Sequence, residues 1–78
     1  MNYEQLLNAY GWNYFEDCQC GGTYFRQFRS HALQNVGKEI WVATQLQPMT
    51  FRVKANAITI ADDVPISQLR PALANNKI

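Results

Sequence analysis

The sequence predicts an α+β fold, in which an antiparallel sheet of about four strands lies between a short N-terminal helix and a short C-terminal helical segment. Three observations support it. Apolar residues recur at helical spacing near the start, they alternate with polar residues in the middle, and the middle connections are too short for parallel crossovers. We expect residues 1–78 to form one domain, because a chain of 78 residues can bury one core but not two.

The first element is a helix predicted from Tyr3 to Tyr10. Leu6, Leu7 and Tyr10 share one side of it, and Gly11 is placed to end it. So short a helix is not stable alone in water, so we expect it to pack on the sheet.

The middle of the chain has the character of strands separated by turn-forming residues. Side chains of Ile40 and Val42 should share a face opposite Trp41, because successive side chains of a strand point to opposite faces. A fifth strand over Trp12 to Phe15 is left open. The predicted strands are Thr23 to Ser30, Lys38 to Leu46, Thr50 to Ala55 and Ala57 to Ala61.

The last element is predicted to start at Asp62 and Asp63, because a carboxylate can cap free helix amides and Pro65 suits a first helical position. Pro71 should interrupt a continuous helix, so we expect two short turns or a helix that restarts there.

Composition indicates a globular chain with no strong electrostatic bias. Apolar residues make up 47% and charged residues 17%, and the net charge is only +1. We find neither a secretory signal nor an apolar run of membrane-spanning length. These features predict a cytoplasmic protein with no membrane partner, in which Cys18 and Cys20 are reduced.

The most unusual local string is Cys18-Gln19-Cys20-Gly21-Gly22, which resembles half of a zinc ribbon. Two thiolates beside paired glycines can form a knuckle around zinc, and His31 is the other soft ligand. The cysteines are closer together than in a usual zinc ribbon and a second pair is absent. The alternative, which we favour, involves no metal ion: Gly21-Gly22 turns the chain between two strands, and the cysteines are small apolar side chains.

A second unusual stretch combines aromatic and basic residues. Tyr24, Arg26 and Phe28 fall on one face of a strand, and the intervening residues fall on the other. If Phe25 points inward, an aromatic and basic outer face is predicted, which makes the candidate binding residues Tyr24, Arg26, Phe28, Trp41, Arg52 and Lys54.

Such a face is typical of protein interfaces, whose strongest contacts favour Trp, Tyr and Arg. It also suits single-stranded nucleic acid, because bases stack on aromatic rings and cations meet phosphates. A structural alternative is that one aromatic set is core and cationic side chains cover the other. No motif for phosphate binding or nucleophilic catalysis is found in the sequence.

We therefore predict a small non-enzymatic binding or assembly module. Its partner would be a protein, or a second copy of the chain, and it would bind the aromatic and basic face or a strand edge. The alternatives are nucleic-acid binding by the same face and a module stabilised by zinc at Cys18 and Cys20. No other cofactor is predicted.

Overall fold

The computed structural model describes residues 2–76 and 78. Five antiparallel strands form one sheet in the order of the sequence, with a short helix at each end of the chain. This confirms the predicted α+β meander, with five strands where about four were expected. The elements are α1 (Tyr3–Ala9), β1 (Trp12–Cys20), β2 (Thr23–Ser30), β3 (Lys38–Ala43), β4 (Thr50–Ala55), β5 (Ile58–Pro65) and α2 (Leu69–Ala74), with 3-10 turns at Leu33–Asn35 and Ile66–Gln68.

Helix α1 begins with a capping box. The Asn2 side chain accepts a hydrogen bond from the Gln5 amide at 2.8 Å, and the Gln5 side chain accepts one from the Asn2 amide at 3.2 Å. These bonds satisfy two amides that have no partner within the helix. Leu6 and Leu7 are buried against the sheet, which supplies the tertiary support that so short a helix requires.

The open question of a fifth strand is answered by β1, which runs well beyond Phe15 to Cys20. It forms a hairpin with β2 through Gly21-Gly22, and both glycines have positive φ, of 61° and 81°. This conformation suits a two-residue hairpin turn and is readily adopted by glycine. The residues of the suggested zinc knuckle are therefore the end of a strand and a hairpin turn.

The predicted alternation in the next two strands is confirmed. Ile40 pairs with Val53 and Val42 pairs with Phe51, and all four side chains are buried on one face. β4 has the predicted bounds, whereas β3 ends at Ala43, before the predicted Leu46.

The prediction of a helix start at Asp62 and Asp63 is wrong. β5 continues through both residues to Pro65, and the Asp62 carboxylate accepts a hydrogen bond from Arg52 Nε at 2.8 Å instead of capping a helix. A cross-strand partner therefore takes the group that local sequence assigned to a cap. Helix α2 begins at Leu69, and Pro71 lies in its first turn, where a missing amide is tolerated.

One face of the sheet carries the core. The two helices and Ile78 pack there against side chains of β1 to β4. Within the described residues, no helix has the length and apolar character needed to cross a membrane. The core cluster is Leu6, Leu7, Trp12, Phe28, Ile40, Val42, Phe51, Val53, Leu69, Leu73 and Ile78.

The turn between β4 and β5 offers a test of backbone strain. Asn56 and Ala57 both have positive φ, of 53° and 70°. The left-handed conformation costs an L-residue such as alanine about 1–2 kcal/mol. The Asn-Gly pair is the preferred sequence for a turn of this kind. Ala57→Gly should therefore raise the free energy of unfolding, measured by urea denaturation, by about 1 kcal/mol. The gain is not larger because glycine has greater conformational freedom in the unfolded chain.

The matched control is Gly37→Ala in the adjacent loop. Gly37 has φ of 80°, and an added Cβ would collide with Asn56 Oδ1. This variant should be clearly destabilised. Equal stabilities for the parent and both variants would contradict the strain assigned to this turn.

Candidate functional site

The six predicted binding residues lie on two different faces of the sheet. Phe28 is fully buried against the helices, with 0% of its surface exposed, and alternation places Tyr24 and Arg26 on the same side. Trp41, which pairs with Gln27, lies on the opposite side. The single outer face predicted from an inward Phe25 is therefore not formed, because Phe28 is the residue of β2 that enters the core.

Arg26 holds α1 against the sheet. Its Nη1 donates hydrogen bonds to Tyr3 Oη and to Glu4 Oε1, both at 2.9 Å, and its guanidinium lies 4.5 Å from the centre of the Tyr14 ring. The hydrogen bond to Glu4 keeps the pKa of Arg26 above its ordinary value. This cation is therefore engaged within the chain rather than presented to a ligand.

Tyr24 is engaged in the same way. Its hydroxyl donates to the Asp17 carboxylate on the neighbouring strand, and this bond lowers the pKa of Asp17 and raises that of Tyr24. Asp17 was not among the predicted binding residues. The β1–β2 register, in which Asp17 pairs with Arg26 and Gln19 pairs with Tyr24, explains why these side chains meet.

The other side of the sheet carries an aromatic and ionic surface that no helix in the described ranges covers. We call it the open face, and it comprises Phe25, Gln27, Arg29, Glu39, Trp41, Arg52 and Lys54. Three of these residues were predicted for a binding face: Trp41, Arg52 and Lys54. Phe25, Gln27, Arg29 and Glu39 were not, although the pairing of adjacent strands places them beside Trp41.

Two aromatic rings in tilted contact form the centre of the open face. The rings of Phe25 and Trp41 are 5.4 Å apart, and Phe25 is only 5% exposed. The guanidinium of Arg52 lies 4.8 Å from the Phe25 ring centre, and Lys54 Nζ lies 4.6 Å from that of Trp41. Arg52 and Trp41 together cover Phe25, and Lys54 covers Trp41.

Carboxylates neutralise two of the open-face cations. Arg29 Nη2 lies 2.8 Å from Glu39 Oε2, and Arg52 Nε lies 2.8 Å from Asp62 Oδ1. Glu39 also accepts a hydrogen bond from Trp41 Nε1 at 2.8 Å, which orients the indole. The open face therefore has mixed charge, with the cations and the indole held in defined positions.

These contacts change the acidity of both carboxyl groups. Burial raises the pKa of Glu39, but the hydrogen bonds from Arg29 and Trp41 lower it to a net value below the ordinary one. The hydrogen bond from Arg52 lowers the pKa of Asp62. Both groups therefore favour the charged form more in the folded chain than in the unfolded chain.

The suggested zinc ligands are not brought together. Cys20 pairs with Thr23 at the hairpin turn, whereas His31 follows the far end of β2. In the part of the chain that the structure describes, no group of three or more His, Cys, Asp or Glu side chains is placed to hold a metal ion. An eight-residue strand separates His31 from the cysteines.

The two cysteines, which were expected to be reduced thiols, lie side by side on β1 with their sulfur atoms in contact. Residues two apart on a strand point to the same face, and their Cα atoms lie 5.5 Å apart. That separation is within the range that disulfides span.

The lowered pKa values predict that acid weakens the fold. A carboxylate with a depressed folded-state pKa stabilises the fold above its unfolded pKa, and this contribution is lost as pH falls through the folded value. The ordinary values are 4.5 for Glu39 and 3.8 for Asp62, so the melting temperature should fall below about pH 4.

The matched comparison is the double variant Glu39→Gln, Asp62→Asn. It should melt at a lower temperature than the parent at neutral pH and lose less of its melting temperature on acidification. An identical loss in parent and variant, followed by circular dichroism, would show that these two ion pairs do not stabilise the fold.

Comparisons of the chain with protein-family models, with curated proteins and with solved structures find no significant match.

Proposed function

We propose that this chain is a non-catalytic protein-binding module, and that its partner docks on the open face. The observation that carries the proposal is the half-buried Trp41, packed against Phe25 and held by Glu39 on a surface that no helix of the described chain covers. The non-enzymatic role and a cytoplasmic location belong to the same proposal.

The chemistry of the open face supports a protein partner. Tryptophan and arginine dominate the binding energy of protein interfaces, particularly where neighbouring contacts exclude water. Here Trp41 and Arg52 are already oriented by Glu39 and Asp62, so little side-chain freedom is lost on binding. Polar and ionic groups surround the two rings, most of them half-buried and with Arg29 and Asp62 exposed at the margin, as in the polar rim of a typical interface.

The charge pattern favours protein over nucleic acid. A phosphate chain crossing this surface would meet the carboxylates of Glu39 and Asp62, which already pair with Arg29 and Arg52. Phosphate contacts would have to replace these ion pairs, whereas a protein partner can supply charges of either sign. Arg26, another cation of the predicted face, is engaged with Glu4 on the other side of the sheet.

Photocrosslinking tests this proposal. A photoreactive amino acid placed at Thr50, on the open-face side of β4, should form protein adducts in the cells that naturally express the chain. The same group at the exposed Ser67, on the helix side, is the matched control and should give few adducts. Trp41→Ala should reduce the Thr50 adducts by about tenfold or more, because loss of an interface hot spot costs about 2 kcal/mol or more.

Trp41→Phe separates binding from folding, because it keeps an aromatic ring against Phe25 and loses the indole that Glu39 orients. Its melting temperature should stay near that of the parent while its adducts decrease. Equal adducts from Thr50 and Ser67 would refute a docking site on the open face. Adducts that disappear on nuclease treatment and weaken steeply with salt would support nucleic acid instead.

A further inference from the structure

The outer edge of β5 is a second surface with the character of an interface. Ile58 and Ile60 are 67% and 54% exposed, and Thr59 between them is exposed as well. β5 pairs only with β4 among the described residues, so its other edge has no strand beside it. An exposed apolar edge strand is a template for pairing with another chain.

The opposite edge of the sheet is protected against such pairing. β1 has a bulge between Tyr14 and Glu16, followed by the exposed acidic residues Glu16 and Asp17. The guanidinium of Arg29 lies 4.0 Å from the Phe15 ring centre and covers the aromatic side chain at the bulge. Bulges and charges are common means of blocking an edge, so the two edges differ in their capacity to pair.

The turn before β5 determines which backbone groups point outward. Ala55 and Ile58 close the two-residue turn, and the closing pair of such a hairpin is a hydrogen-bonded pair. Hydrogen-bonded and non-hydrogen-bonded pairs alternate along an antiparallel ladder. The next pair is Lys54 with Thr59, so the amide and carbonyl of Thr59 point away from β4, toward the free edge.

We propose that β5 pairs antiparallel with β5 of a second copy of this chain, about a two-fold axis at Thr59. Each Thr59 amide then donates to the Thr59 carbonyl of the other copy, and Ile58 of each copy lies opposite Ile60 of the other. Apolar pairs directly across two strands stabilise a sheet. A two-fold contact of this kind is self-complementary and ends at two copies.

Charge favours the antiparallel sense of pairing. Asp62 and Asp63 lie toward the C-terminal end of β5, whereas Lys54 lies on β4 opposite Thr59. Antiparallel pairing about Thr59 therefore separates the acidic ends of the two copies and places them on either side of the central Lys54 residues. Parallel pairing would instead bring the acidic residues together, at an unfavourable energy.

The predicted contact is short and therefore weak. The β4–β5 pairing becomes irregular between Lys54 and Val53, next to Ile60, and Pro65 ends the strand. The regular edge thus comprises Ile58, Thr59 and Ile60, which bury far less than the roughly 1,200 Å² of a stable specific interface. The dimer should form only at high concentration, and it uses none of the residues of the open face.

Sedimentation velocity of the full chain, from roughly 10 µM to 1 mM, tests the proposal. The average mass should rise from 9.0 kDa toward twice that value. Thr59→Pro removes the outward amide without removing a hydrogen bond to β4, a position at which edge strands tolerate proline, and it should stay monomeric. Thr59→Val keeps the amide and the β-branched shape, and it should associate like the parent.

Ile60→Lys is a second variant that disrupts pairing without changing the backbone, and it should also stay monomeric, with a circular dichroism spectrum like the parent's. A mass of 9.0 kDa for the parent at every concentration would overturn the proposal and leave a strand from a different protein as the occupant of this edge. Association beyond two copies, or association that persists in both Thr59→Pro and Ile60→Lys, would also overturn it. Trp41→Ala tests the open face separately and should leave this dimer intact.

Discussion

Phe28 lies between the sheet and α1, and its burial determines which side of β2 belongs to the core. It makes edge contacts with the rings of Tyr3 and Tyr14, 6.1 and 6.0 Å between centres. Because side chains alternate along a strand, its position places Arg26 beneath α1 and Phe25 on the opposite side. A shift of one residue in β2 would exchange these roles and separate Phe25 from Trp41.

Aromatic side chains are covered on both sides of the sheet, but by different groups. On the helix side, Phe28 is covered by α1, which Arg26 ties down through Tyr3 and Glu4. On the open side, cationic side chains take the place of a helix and cover Phe25 and Trp41. A covering of half-buried side chains leaves the rings more accessible to a partner than a packed helix does, and this difference is the physical basis for proposing binding at the open side.

Sequence periodicity predicted the fold well where one face of a strand is apolar. β3 and β4 alternate clearly, and their buried residues are the predicted ones. β2 was ambiguous, because each of its faces carries an aromatic residue and an arginine, and only packing against α1 distinguishes them. Local signals also failed at Asp62, which has the chemistry of a helix cap but pairs with Arg52 on the neighbouring strand.

The candidate site was predicted only in part for the same reason. Trp41, Arg52 and Lys54 follow from alternation within β3 and β4. Their neighbours Phe25 and Glu39 depend on strand register and on the orientation of β2, which are tertiary properties. The grouping of Cys18, Cys20 and His31 depended on distance along the chain, and the extended β2 strand carries His31 away from the cysteines.

The two tryptophans of the chain lie on opposite sides of the sheet. Trp12 is in the core, with 2% of its surface exposed, whereas Trp41 is half-buried on the open face beside a carboxylate and two cations. Indole emission depends on the polarity and charge around the ring, so the two residues report on different events. The chain therefore contains its own pair of optical probes, one for the integrity of the core and one for occupancy of the open face.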